Sequence, residues 1–399
     1  MSVNAKAPQK ALSDITNTYI LDYQDYYGTF TASTSFTIEA QSGTVNVFDP
    51  ETDEDKLSFE YNVVLNDFTY EGAVVYGNYD ETDGTIYIPV QTISTNSTYG
   101  RIVLGGVTKD QAGTPQHIAL DMILEVDGSN LYLYSLEDEL AAAGLTGEYM
   151  SGWYSFLPDY AQGGAWNFGY DIEFMLPNAR LTCDECHVSG GAWTDWAEGA
   201  YNVAVEDLGT ELYVHNFLNL APISIVVDGY DYRIPIPQQL DSYDWNQGEG
   251  TPDYTHLWSM DADGNPREDG YISGKAYLTN DGQQVIRFCK EEYHAEPWTD
   301  SAGAEREPGL YFTMDREHYF MVSSTFGEEG AYWYNGGEYI WVDILVSDDI
   351  QLNIEPTGIL APKATETTKS STLYDLQGRV VDGSYKGIVI SNGKKVVVK

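Results

Sequence analysis

An internal repeat constrains the fold of this chain more than any other feature of the sequence. The segment NDFTYEGAVVYGNYDETDGTIYIPVQTI, which begins at Asn66, aligns with HNFLNLAPISIVVDGYDYRIPIPQQL, which begins at His215. The aligned positions are Phe68 with Phe217, Tyr79-Asp80 with Tyr230-Asp231, Ile88-Pro89 with Ile236-Pro237, and Gln91 with Gln239. A separation of about 150 residues is too long for a solenoid repeat, and it predicts two whole domains that arose by duplication.

Both domains are predicted to consist of β-strands. Turn dipeptides such as Asp83-Gly84 favour tight hairpins. The runs between the turns alternate apolar and polar positions and are rich in Tyr, Val, Ile, Thr and Trp, as strands prefer. One short helix is predicted in SLEDELAAAGLTG, at residues 135–147. The predicted fold class is all-β, with two tandem antiparallel barrels or sandwiches and a small C-terminal β tail.

Changes in composition divide the chain into six segments. They are 1–17, a leader remnant or linker; 18–182, the first β domain; 183–192, a connector with a Cys-x-x-Cys-His motif; 193–356, the second β domain; 357–371, a small polar linker; and 372–399, a basic β tail. Each β domain has the size of an up-and-down barrel or a sandwich.

The charge of the chain argues against a nucleic-acid partner, and its hydropathy argues against a transmembrane segment. Lys and Arg number 20 against 62 Asp and Glu, which gives a formal net charge of −42 and repels nucleic acid. No run of about 18 apolar residues is present, so no transmembrane segment is predicted. Near the start, Ala5-Lys6-Ala7 has the form of a signal-peptidase site but lacks the preceding apolar stretch, which we interpret as the remnant of a trimmed export signal.

Cys183, Cys186 and His187 have the spacing by which c-type haem is attached to proteins. The same side chains supply three of the four ligands that a structural zinc ion requires, and Cys289 is far along the chain. No helical pattern or apolar pocket for haem surrounds the motif. We therefore predict no cofactor here, and favour a disulfide between Cys183 and Cys186, or plain thiols, over haem or zinc.

Aromatic residues in glycine-flanked segments are the predicted ligand-binding residues, because exposed rings stack on sugars or cover apolar ligands. They are Trp153, Tyr154, Trp193, Trp196, Tyr332, Trp333 and Tyr334. The alternative for such rings is a place in the core of a β domain. Asp261 and Asp263 have the spacing that opens a calcium loop, but Pro266 stands where that loop requires glycine, so calcium binding is a secondary hypothesis.

Catalytic motifs do not occur in the sequence. No nucleophile elbow, zinc-protease motif or phosphate-binding loop is present, so non-catalytic binding is predicted ahead of catalysis. The expected partner is a small apolar molecule or a glycan, held at the mouths of the barrels. Two alternatives stay open. One is a carbohydrate-active hydrolase, because carboxylates are numerous enough to supply a catalytic pair; the other is a structural or adhesive surface protein without a small ligand.

The repeated pattern resembles a known family. An Asn-Phe strand, a turn with Tyr-Asp and then Ile-x-Ile-Pro-x-Gln is similar to the tandem calycin-like or lipocalin-like modules of secreted proteins from Gram-negative gut and oral bacteria. The resemblance covers most of both repeats and rests on about ten matched positions. It implies barrel-shaped domains and does not imply an activity.

The basic tail resembles the C-terminal sorting domain of type IX secretion cargo. The matching residues are Tyr374, Asp375, Gly378, Arg379, Val381, Lys386, Gly387, Ile388 and the run Lys394, Lys395, Val396 and Val397. Val389 departs from that pattern, since the family usually has tyrosine there. The resemblance implies that export machinery recognises the tail, and that the protein is extracellular or lies on the outer-membrane surface of a Gram-negative bacterium after removal of its signal peptide.

Overall fold

The computed structural model describes most of the chain. The described residues are 11–24, 30–109, 115–127, 130–134, 150–189, 192–193, 195, 197–229, 231–240, 256–260, 270–278, 284–288, 290–299, 303, 305–313, 319–323, 344–354, 373–374, 380–381, 387–391 and 394–398. The predicted helix at 135–147 lies outside them. The chain divides into two compact units, Met1–Thr357 and Gly358–Lys399.

The first unit contains two twelve-stranded antiparallel sheets, which we call lobe 1 and lobe 2. Lobe 1 is preceded by a single helical turn, α1 (Leu12–Ile15). Its strands are β1 (Thr18–Gln24), β2 (Thr31–Asp49), β3 (Glu54–Asn66), β4 (Val74–Asp80), β5 (Thr85–Ile88), β6 (Gln91–Asn96), β7 (Gly100–Lys109), β8 (Pro115–Leu120), β9 (Met122–Asp127), β10 (Asn130–Leu133), β11 (Met150–Phe156) and β12 (Ala165–Met175).

Lobe 2 and two small hairpins follow directly. The strands are β13 (Ala179–Ser189), β14 (Ala192–Trp193), β15 (Ala197–Asp207), β16 (Glu211–Phe217), β17 (Ala221–Asp228), β18 (Asp231–Pro235), β19 (Gln238–Gln239), β20 (His256–Met260), β21 (Tyr271–Leu278), β22 (Gln284–Phe288), β23 (Lys290–His294), β24 (Trp298–Thr299), β25 (Glu305–Arg306), β26 (Gly309–Thr313), β27 (Tyr319–Ser323) and β28 (Ile344–Ile354). β23 pairs with β26, and β24 pairs with β25.

The two lobes repeat one strand order. Lobe 1 runs β10-β9-β5-β4-β3-β2-β1-β12-β11-β7-β6, and lobe 2 runs β22-β21-β18-β17-β16-β15-β13-β28-β27-β20-β19. The lobes differ in closure. β28 pairs with both β22 and β13, which makes lobe 2 a closed barrel of eight strands. Lobe 1 is a curled sheet, and among its described residues no ladder joins β10 to β12. The all-β prediction is therefore confirmed, with one closed barrel.

A turn with the same backbone conformation occurs in both lobes. Asp67 and Thr69 have φ angles of 62° and 74°, and the matching residues Asn216 and Leu218 have 61° and 53°. Between each pair lies the phenylalanine of the repeat, and both rings are fully buried. Non-glycine residues seldom adopt positive φ, so this shared conformation makes the correspondence between the lobes specific.

A glutamine side chain extends the sheet at the same place in both lobes. The Gln91 amide accepts a hydrogen bond from Tyr76 N at 2.8 Å and donates to Tyr76 O at 2.8 Å. In lobe 2 the Gln238 amide makes the same pair of bonds to the backbone of Ser224, both at 3.0 Å. The structural counterpart of Gln91 is thus Gln238, one residue before the Gln239 of the sequence alignment.

Aromatic rings fill the interior of lobe 1. They belong to alternate residues of the strands, whose side chains point inward. The ring of Phe36 lies 5.6 Å from Tyr19, 5.1 Å from Phe68 and 5.8 Å from Phe174, measured between centroids. The contact with Tyr19 is stacked and the other two are edge-to-face, and both geometries add to the stabilisation from burial. Ile15 of α1 is completely buried against this cluster, so part of the predicted leader segment 1–17 belongs to the lobe.

The barrel of lobe 2 contains a row of buried aliphatic side chains. Leu181, Leu352 and Ile286 face one another across β13, β28 and β22, in one row of the ladder where the barrel closes. Each of the three is at most 1% exposed. Because eight strands enclose a space that side chains nearly fill, such rows form a packed core.

The second unit is a small antiparallel sheet. Its strands are β29 (Leu373–Tyr374), β30 (Val380–Val381), β31 (Gly387–Ser391) and β32 (Lys394–Val398), in the order β30-β29-β31-β32. Of the residues that match the sorting pattern, Tyr374 lies in β29, Gly387 in β31, and Lys394 and Lys395 in β32. Gly378 and Arg379 lie outside the described residues. No helix of the described chain is long and apolar enough to cross a membrane.

Candidate functional site

Trp153 and Tyr154 are neighbours on β11, and their side chains point to opposite faces of the sheet. Trp153 is completely buried in lobe 1, where its ring lies 4.5 Å from Tyr23 and 6.3 Å from Phe68. Its indole covers Gly169 on the neighbouring strand, so closely that a β-carbon at that position would be 2.2 Å from the ring. Trp153, predicted from its glycine-rich context to lie in a loop, is therefore an interior residue.

Polar atoms without protein partners surround this tryptophan. Among the described residues, Trp153 Nε1, Ser155 Oγ, Asn167 Oδ1 and Thr69 Oγ1 are buried and make no hydrogen bond. Ser155 and Asn167 face each other across β11 and β12. Asn167 Nδ2 donates to the carbonyl of Thr69 at 3.4 Å, which links the ladder to the turn beside Phe68. The four groups thus form one polar patch in an aromatic interior, which we call the lobe 1 polar patch.

Tyr154 lies on the outer face of β11 in a column of stacked rings. Its centroid is 5.9 Å from Phe156 and 5.7 Å from Phe168, with nearly parallel planes. The side chain is half-buried, and burial raises the pKa of its hydroxyl. The stacked arrangement stabilises the β11–β12 pair and leaves this ring on the opposite side of the sheet from the lobe 1 polar patch.

The other predicted aromatic and calcium residues lie largely outside the described part of the chain. Trp193 belongs to the short strand β14, but its side chain is not among those described. The residues outside the described ranges are Trp196, Asp261, Asp263, Tyr332, Trp333 and Tyr334. Within those ranges, no three His, Cys, Asp or Glu side chains are grouped to hold a metal ion.

The Cys-x-x-Cys-His motif lies inside strand β13, and not in a connector between domains. β13 pairs with β15 on one side and β28 on the other, so residues 183–189 form part of the barrel wall. Three steps along an extended strand separate α-carbons by about 10 Å. A disulfide spans only about 4.4–6.8 Å between α-carbons. Strand geometry therefore argues against the disulfide between Cys183 and Cys186.

Cys183 belongs to a hydrogen-bonded group on β13 and β15. Its thiol is buried and donates to Glu185 Oε2 at 3.6 Å, and Tyr201 donates to the same oxygen at 2.5 Å. Gly199, opposite Cys183 in the ladder, leaves room for the carboxylate. Burial, followed by the Glu185 carboxylate, strongly raises the pKa of Tyr201, which keeps its hydroxyl protonated as a donor. The side chains of Cys186 and His187 are not among those described.

A second polar cluster, which sequence analysis missed, is buried where the two lobes meet. Asp22 on β1 accepts a hydrogen bond from Ser33 on β2 through Oδ1. Its other oxygen, Oδ2, lies 2.6 Å from Nδ1 of His215 on β16. All three side chains are almost fully buried, and Glu206 Oε1 lies 3.8 Å from Nε2 of the imidazole. We call these residues the interlobe cluster.

The charge of the interlobe cluster follows from its surroundings. Burial is the largest influence on the pKa of His215 and lowers it. The hydrogen bond to Asp22 and the charges of Asp22, Glu206 and Glu173 outweigh burial, and the pKa is raised. The imidazole therefore keeps its positive charge to higher pH than an ordinary histidine does. It is a cation among carboxylates from both lobes.

The interlobe cluster contains serine, histidine and aspartate, but in an order that does not activate a nucleophile. In a catalytic triad the histidine takes the serine proton and the aspartate orients the histidine. Here the Ser33 hydroxyl donates directly to Asp22, and Asp22 stands between the other two groups. A backbone bond from Ser33 N to Leu220 O, at 3.0 Å, adds to the same contact. The arrangement holds the lobes together.

Comparison of the chain with protein-family models, with curated proteins and with solved structures finds no match in any of the three. The properties of the described residues therefore carry the functional inference.

Proposed function

We propose that this chain is a non-catalytic binding protein, secreted or held at the cell surface, which encloses a small and mainly apolar molecule inside lobe 1. The observation that carries the proposal is the lobe 1 polar patch. A buried donor or acceptor without a partner costs about 1–3 kcal/mol, and folded proteins satisfy nearly all such groups. A ligand with one hydrogen-bonding group would satisfy several of them at once.

The surroundings of the patch suit such a ligand. Small-molecule sites are mostly apolar and contain a few converging polar groups. Trp153, Phe68 and Tyr23 supply aromatic walls, while Ser155 and Asn167 supply the polar end. The sequence resemblance to calycin-like modules supports a barrel-shaped host for the ligand, and the resemblance of the tail to a sorting domain supports the extracellular location.

Binding can be tested on the full chain with a fluorescent polyene fatty acid as the probe, excited through tryptophan. We expect energy transfer that saturates with the probe, and a dissociation constant at least tenfold higher in Asn167→Leu, since one good hydrogen bond contributes about 1.4 kcal/mol. The control is Asn62→Leu. It removes an amide that bonds the backbone of Tyr79 from the outer side of lobe 1, and it should leave the affinity unchanged.

Three results would count against this function. One is the absence of saturable binding for fatty acid, sterol and polyphenol probes, together with native mass spectra that show no copurified small molecule. Another is equal weakening in Asn167→Leu and Asn62→Leu, which would trace the effect to stability. The last is ordered water alone on Ser155 and Asn167 in a crystal soaked with the probe.

A further inference from the structure

A depression on the outer face of lobe 2 is lined by charged and aromatic side chains, unlike the lobe 1 polar patch. It lies over β18 and β21, opens to solvent and has a volume of about 220 Å³. Its side chains are Asp231, Arg233, Tyr271, Ser273, Lys275 and Tyr277. We call it the β18–β21 depression.

Strand alternation places these side chains outside the barrel. Tyr232 and Ile234 of β18 are buried, so Asp231 and Arg233 project to the other face. On β21, Gly274 lies against the ring of Phe288 on β22, where an added β-carbon would be 2.5 Å from the ring. The glycine therefore lets the barrel wall lie close to its core, beneath the outward residues of the same strand.

One aromatic ring in the depression is exposed and lies beside an arginine. Tyr271 is 45% exposed, and the guanidinium of Arg233 lies 5.2 Å from the centre of its ring. Arg233 also forms an exposed ion pair with Asp228, whose Oδ2 lies 3.5 Å from Nη2. The ring and the guanidinium stand side by side at the surface, where one ligand can contact both.

The mixture of groups selects a class of ligand. A pyranose has an apolar face of C–H groups and a rim of hydroxyls that both donate and accept. Tyr271 offers a face or edge for the first, while Arg233 and Asp231 offer donors and acceptors for the second. The net charge of −42 repels polyanions, and within the lining Asp231 partly offsets the cations Arg233 and Lys275, which favours an uncharged sugar. The volume suits a single ring rather than a larger ligand, because drug-sized sites occupy about 300–1,000 Å³.

We propose that the β18–β21 depression binds one neutral hexopyranose unit of a glycan, with the sugar against Tyr271 and its hydroxyls bonded to Arg233 and Asp231. The site is on the outer face of lobe 2 and is separate from the lobe 1 interior. It adds a carbohydrate-binding surface to the protein and does not depend on the ligand of lobe 1.

Affinity electrophoresis of the full chain tests this site, in gels that contain soluble glucan, mannan, galactan or xylan. We expect at least one neutral polymer to retard the protein. Tyr271→Ala should weaken retardation roughly tenfold, since a stacked ring contributes about 0.5–1.5 kcal/mol beyond the area that it buries. Tyr132→Ala is the matched control, because that tyrosine is 49% exposed on β10 of lobe 1, and it should change nothing.

Loss of folding is excluded by thermal unfolding of both variants, which we expect to match the parent because both rings are half-exposed. Saturation-transfer NMR with methyl hexopyranosides should show transfer to ring protons of the sugar, and Tyr271→Ala should reduce it. The proposal is overturned if no neutral polymer retards the protein, if polygalacturonate alone does, or if Tyr271→Ala and Tyr132→Ala weaken retardation equally. We expect Tyr271→Ala to leave fatty-acid binding in lobe 1 unchanged, so the electrophoresis and the fatty-acid assay test the two sites separately.

Discussion

Asp22 Oδ2 lies 2.6 Å from Nδ1 of His215, although 193 residues separate them in the chain. Each residue comes from a different lobe, and each is at most 4% exposed. A buried ion pair must recover a desolvation cost of several kcal/mol per ion, so it persists where the hydrogen-bonding geometry is good. This pair therefore holds the lobes in one defined arrangement, and it makes their contact sensitive to pH.

Stability should fall as the pH rises through the raised pKa of His215. A histidine with a pKa higher in the folded than in the unfolded protein contributes stability fully below the unfolded value of about 6.5, and loses it through the folded value. Thermal unfolding between pH 6 and 9 should show this loss in the parent and not in His215→Gln. His256→Gln, on β20, is the control and should keep the parental profile. A flat parental profile would refute the assignment.

In the Asp22–His215 pair, removing the anion should lower the free energy of unfolding more than removing the cation. Asp22→Asn leaves a buried imidazole without its counter-ion and weakens the bond from Ser33, so we expect about 3–5 kcal/mol of destabilisation by urea unfolding. The double variant Asp22→Asn with His215→Gln should recover part of this loss, because neither charge is then buried. Additive losses in the two single variants would show that the residues are not coupled.

Gln238, and not Gln239, should carry the structural role in lobe 2. Gln238→Leu leaves the N–H and carbonyl of Ser224 without their side-chain partner, which costs about 1–3 kcal/mol. Gln239 is exposed, so Gln239→Leu should change the free energy of unfolding by less than about 0.5 kcal/mol. The reverse order of these effects would support the sequence alignment over the structural correspondence.

Arg101 should hold the carboxyl of Asp159 ionised in acid. The guanidinium donates from Nε to Oδ2 and from Nη2 to Oδ1 of the carboxylate, and this lowers the pKa of Asp159 to about 2. Carboxyl carbon NMR shifts should report that value in the parent and a return toward the ordinary range in Arg101→Gln. Arg101→Lys should recover little of the shift, because an ammonium cannot form the paired bonds. Equal pKa values in parent and Arg101→Gln would contradict the assignment.

Local patterns in the sequence predicted the β-strands, because alternation and turn residues act over a few positions. Phe68 and Phe217, which the sequence alignment pairs, lie in turns that share positive φ angles. The position of Trp153 was predicted less well, because a glycine beside an aromatic residue, here Gly152, is found in loops and also in strands whose rings pack on a neighbouring strand. Only the fold shows that Gly169 lies beneath it.

The interlobe cluster was beyond sequence reasoning for a different reason. His215 begins the second repeat, yet no counterpart in the first repeat has the same environment, since its partner belongs to the other lobe. Docking of whole domains depends on surfaces that local periodicity does not encode. The two lobes nevertheless share one strand order, and among the described residues lobe 2 closes into a barrel while lobe 1 stays a curled sheet.

Ile20 shares the outer face of β1 with Asp22, and it is fully buried although it is not part of the lobe 1 aromatic core. β1 also lies against β15 and β16 of lobe 2. The bond from Ser33 N to Leu220 O and the contact of Asp22 with His215 exist only while lobe 2 is present. A fragment that ends after β12 would leave a carboxylate and a backbone N–H without these partners, so truncations are better designed around the pair of lobes.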